Sequence, residues 1–516
     1  MDRDLASIQE VRDMLLKAQE VGQILKDFDQ NHIDQIVARM ASKGLQAAER
    51  LAKLAVDETG FGRYEDKVLK NQFATRDLWE YIKSVKTCDV IKRDDEKKVY
   101  EIAVPMGTVA GIIPSTNPTS TAMYKAMIAL KARNPVILSP HPSAVGCITE
   151  AARIMEDAAV EAGAPRHSVQ CMTMPSLVGT NELMKSELTA IILATGGSAM
   201  VRAAYSSGRP ALGVGPGNVP AYIEKSADVA KAVADVVAGK SFDNGTVCAS
   251  EQSLICCQVI SSRVLDELRA NHCYICDSRE KGLLEKIMLD DKGNLSPKIV
   301  GKAPDVLAQM AGFKVPRDIR VLVTLMEKVG PEDPLSCEKL SPVLGFYTVG
   351  SWQEGCERSI EILKYGGVGH SMVLHTSDEE IIMEFALKKP AMRILINTPA
   401  THGAIGYTTG LPPAMTLGCG TWGGSSTSDN VGPLHLINIK RLVREIKPLA
   451  STESEQSTRW RYDDQYRFRP EQAAADTPAA KTSTTVPSEM QTPRTYGETR
   501  LSDDDVDRII REFQNK

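Results

Sequence analysis

The stretch TVAGIIPSTNPTSTAMYKAMIALKARNPVILS, Thr108–Ser139, decides the fold. It opens with a short apolar run, Thr108–Ile113, and turns at a Pro- and Asn-rich segment. A helical segment follows over Thr119–Ala132, and a second apolar run over Val136–Ser139. Strand, helix and strand in this order make a βαβ unit, whose two strands lie parallel. The alternation extends outward through a helix over Val145–Ala162 and further apolar runs at Ser168–Thr173 and Ala190–Ala194. A mostly parallel sheet is therefore expected from about residue 100 to 235. Upstream, residues 1 to about 85 read as helices. Leu5, Ile8, Val11, Leu15 and Leu16, and then Ile33, Ile36, Val37 and Met40, recur at helical spacing. Downstream, a second α/β stretch runs from about 240 to 410, and an apolar segment follows around Val431–Ile439.

With 516 residues the chain is long enough for two or three cores. Hydrophobic residues at 42% and charged residues at 25% are ordinary for a globular protein, and a net charge of −5 gives no global reason to bind nucleic acid. There is no apolar run of membrane-spanning length and no secretory signal at the start, so a cytoplasmic protein is expected. Eleven scattered cysteines fit reduced thiols. Cys273-Tyr274-Ile275-Cys276 is a lone CxxC without a second pair at ligand spacing, so it reads as two core cysteines and no metal is expected.

The last 70 residues differ. Residues 449–470 set Trp460, Tyr462, Tyr466 and Phe468 among arginines and acids, and residues 471–497 have the Ala, Thr, Ser and Pro content of a flexible linker. A short helix is expected after them. Ser502 and Asp505 form a capping box, Leu501 and Val506 a hydrophobic staple, and Val506, Ile509, Ile510 and Phe513 one apolar stripe. An apolar face on a tether must be buried, either against its own body or against a partner.

The chemistry is concentrated in five segments. Ser241–Gln252 contains Cys248 among small residues just after Asn244-Gly245, which suits a tight loop leading into a helix. A helix N-terminus there would favour the thiolate. Ile112–Ser120 contains Asn117, whose amide N–H₂ can donate to an oxyanion. Leu193–Ala199 is a strand end, a Gly pair and a helix start, which suits a diphosphate although it is not GxGxxG. Gly213–Asn218 is Gly-rich and lets backbone approach a ligand closely. Glu338-Lys339-Leu340-Ser341-Pro342 offers a carboxylate for ribose hydroxyls.

In this order and spacing, these segments resemble the aldehyde dehydrogenase superfamily from about residue 10 to 447. So do the strings Ser139-Pro140-His141-Pro142, Leu417–Gly424 and Asn430-Val431-Gly432-Pro433. The closest likeness is to the CoA-acylating branch: the N-terminal half of bifunctional aldehyde–alcohol dehydrogenases and its stand-alone relatives.

The resemblance implies an α/β fold with a Rossmann-type nucleotide-binding domain, a catalytic domain and a β-flap used for oligomerisation. The implied division is 1–236 for nucleotide binding, with a flap hairpin near 90–105, and 237–415 for catalysis. Residues 416–447 are a return to the first domain with a flap strand near 431–445. Residues 448–497 are arm and linker, and 498–516 resemble an encapsulation peptide that binds a bacterial microcompartment shell protein. Cys248 is implied as nucleophile, Asn117 as oxyanion amide, and His370, in Gly366–His370, as the histidine near the active site. The implied cofactor-binding set is Ser115, Thr116, Ser139, Pro140, His141, Thr195, Gly196, Gly197, Ser198, Gly213, Gly215, Glu338 and Leu340, with NAD as cofactor and coenzyme A as co-substrate. Gly213 stands where hydrolytic relatives carry the general-base Glu, so a thioester is expected to await a thiol and not water. Ser139 replaces a Lys beside the adenosine ribose and leaves NAD against NADP open.

Acetaldehyde is the first substrate expected and propionaldehyde the second, with sulfoacetaldehyde or succinate semialdehyde as alternatives. A homodimer or homotetramer is expected. The chain stops where an iron-dependent alcohol dehydrogenase half would begin, so that activity is not expected. The rival of another class is a non-catalytic scaffold, against which Cys248, Asn117 and Glu338 together argue.

Overall fold

A computed structural model describes residues 2–290 and 295–447. The expected arm, linker and terminal helix, 448–516, lie outside the described residues.

The chain begins with helices Arg3–Leu25, Gln30–Gln46, Ala48–Thr59 and Tyr64–Gln72, the last continuing through a π-turn into Leu78–Ile82. Asp2 and Asp29 cap the first two by accepting from backbone N–H groups of the first turn. Gly60, at φ 65°, ends the third. Ile33, Ile36, Val37 and Met40 are all buried, as their spacing predicts. The first helix differs in detail. Its buried face is Val11, Leu15, Ala18, Val21 and Leu25, while Leu5 and Leu16 point to solvent. One helix buries one face, and Leu15 and Leu16 cannot share it.

Two parallel sheets form the body. The first has the order Val169–Cys171, Val136–Pro140, Val109–Ile113, Ile191–Thr195, Ala211–Val214. Each of its strand pairs is parallel, as the βαβ reading requires. The chain starts at the central strand, winds to one edge, then returns to the other side of its starting point. The strands Val109–Ile113 and Ile191–Thr195 therefore flank a switch point, and their carboxyl ends open a crevice. The second sheet has the order Cys273–Cys276, Val321–Leu325, Val343–Val349, Glu251–Cys257, Val219–Ile223, Gly369–His375, Ala391–Ile396. The cysteines of the CxxC are two buried, free thiols of its edge strand.

Val219–Ile223 lies in the interior of the second sheet, between Glu251–Cys257 and Gly369–His375. The chain thus changes sheets between Val214 and Val219. Strand pairing decides this, and hydrophobic runs do not report which sheet a strand joins.

The third sheet is the expected flap. Asp89–Asp94 and Val99–Pro105 form an antiparallel hairpin, and Ile437–Val443 pairs with the second of these strands. The chain returns to the first half before reaching it. The Tyr124 hydroxyl donates to the Val431 carbonyl. The Asn134 amide donates to the Leu436 carbonyl at 2.7 Å and accepts from the Gly107 N–H at 2.9 Å. No helix among the described residues is long and apolar enough to cross a membrane.

Asn134 is fully buried and clamps both flap connections. Asn134→Ala orphans the buried Leu436 carbonyl, at a cost of about 1–3 kcal/mol, and the half-buried Gly107 N–H. The expected result is a clearly lower thermal unfolding midpoint, read by circular dichroism. An unchanged midpoint would contradict the clamp.

Candidate active site

A cleft of about 780 Å³ lies where the carboxyl ends of the first sheet meet the amino ends of strands in the second. Ser115, Thr116, Asn117, Ser139, Pro140, His141, Thr195, Gly196, Gly197, Gly215, Cys248, Glu338 and Leu340 line it together. Residues from 115 to 340 thus converge because both strand ends flanking the switch point open into this one space.

Cys248 is half-buried, and all the other cysteines but Cys337 are buried. It does not begin a helix, as the sequence suggested. A 3₁₀ turn, Phe242–Gly245, precedes it and the strand Glu251–Cys257 follows, so no helix dipole supports a thiolate. Burial pushes its thiol up to about 12, with Glu338 and Cys419 adding to the shift and Arg393 opposing it. His370 begins the strand Gly369–His375 and is fully buried, with Nε2 3.2 Å from the Cys248 Sγ. Burial, then Arg393, push the imidazole down to about 3. At neutral pH the pair rests as thiol and neutral imidazole, and the imidazole can take the thiol proton as Sγ attacks.

Arg393 closes the back of this pair. Its guanidinium donates to the carbonyls of His370 at 3.4 Å and Gly418 at 2.9 Å, and to Asn430 Oδ1 at 2.6 Å. This explains two strings that stood out in the sequence. Leu417–Gly424 and Asn430–Pro433 carry groups that hold Arg393 against the catalytic strand. Close approach is built in: a Cβ on Gly369 would stand 1.8 Å from the Cys419 carbonyl oxygen, and one on Gly217 1.9 Å from that of Cys248.

Asn117 follows the first strand at the N-cap of the helix Pro118–Lys131. Its Oδ1 accepts from Lys70 Nζ at 2.5 Å, and its Nδ2 donates to Thr116 Oγ1 at 3.2 Å. Glu338 Oε1 accepts from the Gly217 N–H at 3.1 Å. Burial pushes this carboxyl up to about 7, against the pull of that N–H and of Lys240 and Lys339. Leu340 sits at φ 42°, a strained left-handed conformation of the kind found at ligand sites.

The cleft fits a dinucleotide. The Thr195 hydroxyl is buried with no hydrogen-bond partner. Nothing lies within 4 Å of a Cβ placed on Gly197, which leads into the helix Ser198–Tyr205. Open backbone at a helix start, with an unpaired hydroxyl beside it, suits a diphosphate.

Several expected residues sit differently. Ser139 lines the cleft, but its hydroxyl pairs with Thr180 Oγ1 at 2.8 Å. His141 spends Nδ1 on Ser143. Gly213 does not line the cleft. A Cβ there would meet Val201 Cγ1 at 2.8 Å and Tyr205 at 2.9 Å, so a side chain would run into the neighbouring helix. The absence of a Glu there does not by itself decide between water and a thiol.

Lys67, Lys70, Asp243 and Arg393 were missed by sequence reasoning. Each is a charged residue in a segment read for other reasons, and Asp243 stands beside the Asn-Gly turn. The one signal was two lysines three apart on a helix that must bury a face.

The model of the aldehyde dehydrogenase family matches residues 3–273. Aldehyde-alcohol dehydrogenase 2 of Entamoeba histolytica is 42% identical over 446 residues, covering 84% of this chain and 51% of that protein. The chain thus spans about half the length of such relatives. A crystal structure of an acetylating aldehyde dehydrogenase from Geobacillus thermoglucosidasius shares 51% identity at a TM-score of 0.86, covering 87% of this chain and 99% of that one. The Rhodopseudomonas palustris propionaldehyde dehydrogenase with bound propionyl-CoA shares 26% identity at a TM-score of 0.76, covering 84% and 94%. With a thiol and an amide lining one cleft, a buried imidazole against the thiol, and this likeness along nearly all of the described chain, the protein belongs to the aldehyde dehydrogenase family.

Proposed function

We propose that the protein oxidises a short-chain aldehyde, acetaldehyde first and propionaldehyde next, to its acyl-CoA with NAD. The observation that carries this reading is the contact between His370 Nε2 and Cys248 Sγ at 3.2 Å, in the cleft that Asn117 lines. His370 accepts the thiol proton while Sγ bonds to the carbonyl carbon. The carbonyl oxygen gains the negative charge and receives hydrogen bonds from Asn117 Nδ2 and the Cys248 backbone N–H. NAD, when bound, supplies the hydride acceptor. Thr195, Gly196, Gly197 and Ser198 would hold its diphosphate and Glu338 its nicotinamide ribose. Loss of hydride leaves a thioester on Cys248. His370 releases its first proton to solvent and then accepts that of the CoA thiol, whose sulfur displaces Cys248. Likeness to an acetylating enzyme along nearly its whole length supports CoA over water as the acceptor.

The division of labour proposed is a nucleotide-binding part around the first sheet, a catalytic part around the second, and a flap that pairs copies into a dimer or tetramer. The apolar stripe of residues 498–516 supports a docking peptide for a microcompartment shell protein. The test is co-purification of a fluorescent fusion of 498–516 with shells. Diffuse fluorescence, unchanged by Ile509→Asp, would remove this reading.

Three outcomes are expected of the enzyme. NADH forms from acetaldehyde with CoA and acetyl-CoA accumulates, followed by absorbance and chromatography. Free acid at the same rate without CoA would sink the acylating assignment, and propionaldehyde, sulfoacetaldehyde and succinate semialdehyde in the same assay rank the substrates. Asn117→Ala lowers kcat roughly a hundred- to a thousand-fold, the loss of one oxyanion donor of about 3 kcal/mol. Because its thiol lies high and only the thiolate reacts, alkylation of Cys248 by iodoacetamide accelerates roughly tenfold per pH unit from about pH 6 to about pH 9. A plateau below neutrality would instead reveal a preformed thiolate–imidazolium pair.

A further inference from the structure

Lys67 and Lys70 stand one turn apart on the helix Tyr64–Gln72, and both are buried. Burying ammonium groups is costly unless each is paired and hydrogen-bonded. Both converge on the fully buried Asp243. Lys67 Nζ donates to Asp243 Oδ2 at 3.0 Å and to the Thr116 carbonyl at 3.1 Å. Lys70 Nζ donates to Asp243 Oδ2, to Thr246 Oγ1 at 3.1 Å and to Asn117 Oδ1 at 2.5 Å. An ammonium has three protons, and Lys70 spends all three. Asp66 completes the group, accepting from the Asp243 N–H at 2.8 Å.

Two features point to function. Asn at an N-cap ordinarily uses its side-chain oxygen to accept from the first turn of its helix. Asn117 makes no such bond, and its oxygen accepts from Lys70 instead. An amide can also be flipped with little change of shape, but an ammonium tolerates only the oxygen. Lys70 therefore sets which end of the amide is Nδ2. One N–H goes to Thr116 Oγ1, and the other remains for the cleft that Asn117 lines. A cation on the amide oxygen also strengthens the amide N–H as a donor. The second feature is the reach of the cluster. Thr246, which donates to Asp243 Oδ2 at 2.8 Å, stands two residues before Cys248. Asp243 and Asn244 hold φ of 48° and 52°, and a Cβ on Gly62 would stand 1.9 Å from Asp243 Oδ1. The chain accepts this local cost to bring the carboxylate in.

We propose that Lys70, anchored by Asp243, is a positioning residue that orients and polarises the Asn117 amide and ties its loop to the loop of Cys248. The proposal rests on Asn117 being the oxyanion donor. Burial outweighs Asp243 and pushes the Lys70 ammonium down to about 8, while Asp243 is held below its ordinary range because Lys70 and Lys67 overcome its burial.

The test is a double-mutant cycle on the full chain, with turnover and Cys248 alkylation both measured. Alkylation by iodoacetamide builds no oxyanion, so it does not read the amide. Lys70→Met is expected to lower kcat roughly ten- to a hundred-fold, while KM and the alkylation rate stay within about threefold. In the Asn117→Ala background the same change costs less than about threefold, because the effect runs through the amide. Equal losses in both backgrounds, or alkylation falling in step with kcat, would overturn the role of Lys70 alone. Wild-type kcat in Asn117→Ala would overturn the oxyanion reading and this assignment with it. Should Lys70→Met fail to fold, Lys70→Met/Asp243→Asn removes one charge of each sign, and the same cycle decides.

Discussion

A carboxylate with no exposure to water, Asp243, joins segments that are far apart in the chain. It takes hydrogen bonds from the Arg63 N–H, from Lys67 and Lys70, and from Thr246. Through the lysines it reaches the loop after the first strand of one sheet, and through Thr246 the loop before a strand of the other. The cleft lies between these loops, so its width depends on a cluster of buried charges. Such clusters contribute little net stability, but removal of one member leaves the others unpaired in a low-dielectric interior. That penalty makes the members of the cluster depend on one another.

The reacting pair follows the opposite electrostatic logic. Burial favours the neutral form of both Cys248 and His370, and Arg393 and Glu338 only adjust the balance. A thiol that rests protonated is protected from adventitious oxidation and alkylation. In the mechanism we propose, it becomes nucleophilic only when the developing negative charge has somewhere to go, and Asn117 receives it. The two halves of the site therefore depend on each other, and the tether between them is the buried lysine cluster.

Much of this was legible in the chain. The βαβ alternation around Thr108–Ser139 predicted four of the five strands of the first sheet to within two residues at each end, and the fifth, Ala211–Val214, was not read as a strand. The flap hairpin and the flap strand also lie where the resemblance put them. Thirteen of the expected site residues share one cleft, since motif residues at strand ends converge once parallel strands are stacked. Less legible were long-range pairings of charged groups. Nothing local distinguishes Lys67 and Lys70 from solvated lysines, because what makes them special is a carboxylate more than 170 residues away.

The elements and the chemical inventory could be read along the chain: helices by apolar spacing, parallel strands by alternation, and a thiol, an amide and a carboxylate in loops at strand ends. These properties are local, set by backbone preferences and periodicity within a few residues. The tertiary structure alone decided which sheet Val219–Ile223 joins, and that Gly213 faces Val201 and Tyr205 instead of the cleft. It also decided that Cys248 enters a strand and not a helix. Each is a question of what lies across space from a residue, and burial, charge pairing and close backbone approach depend on that and not on neighbours along the chain.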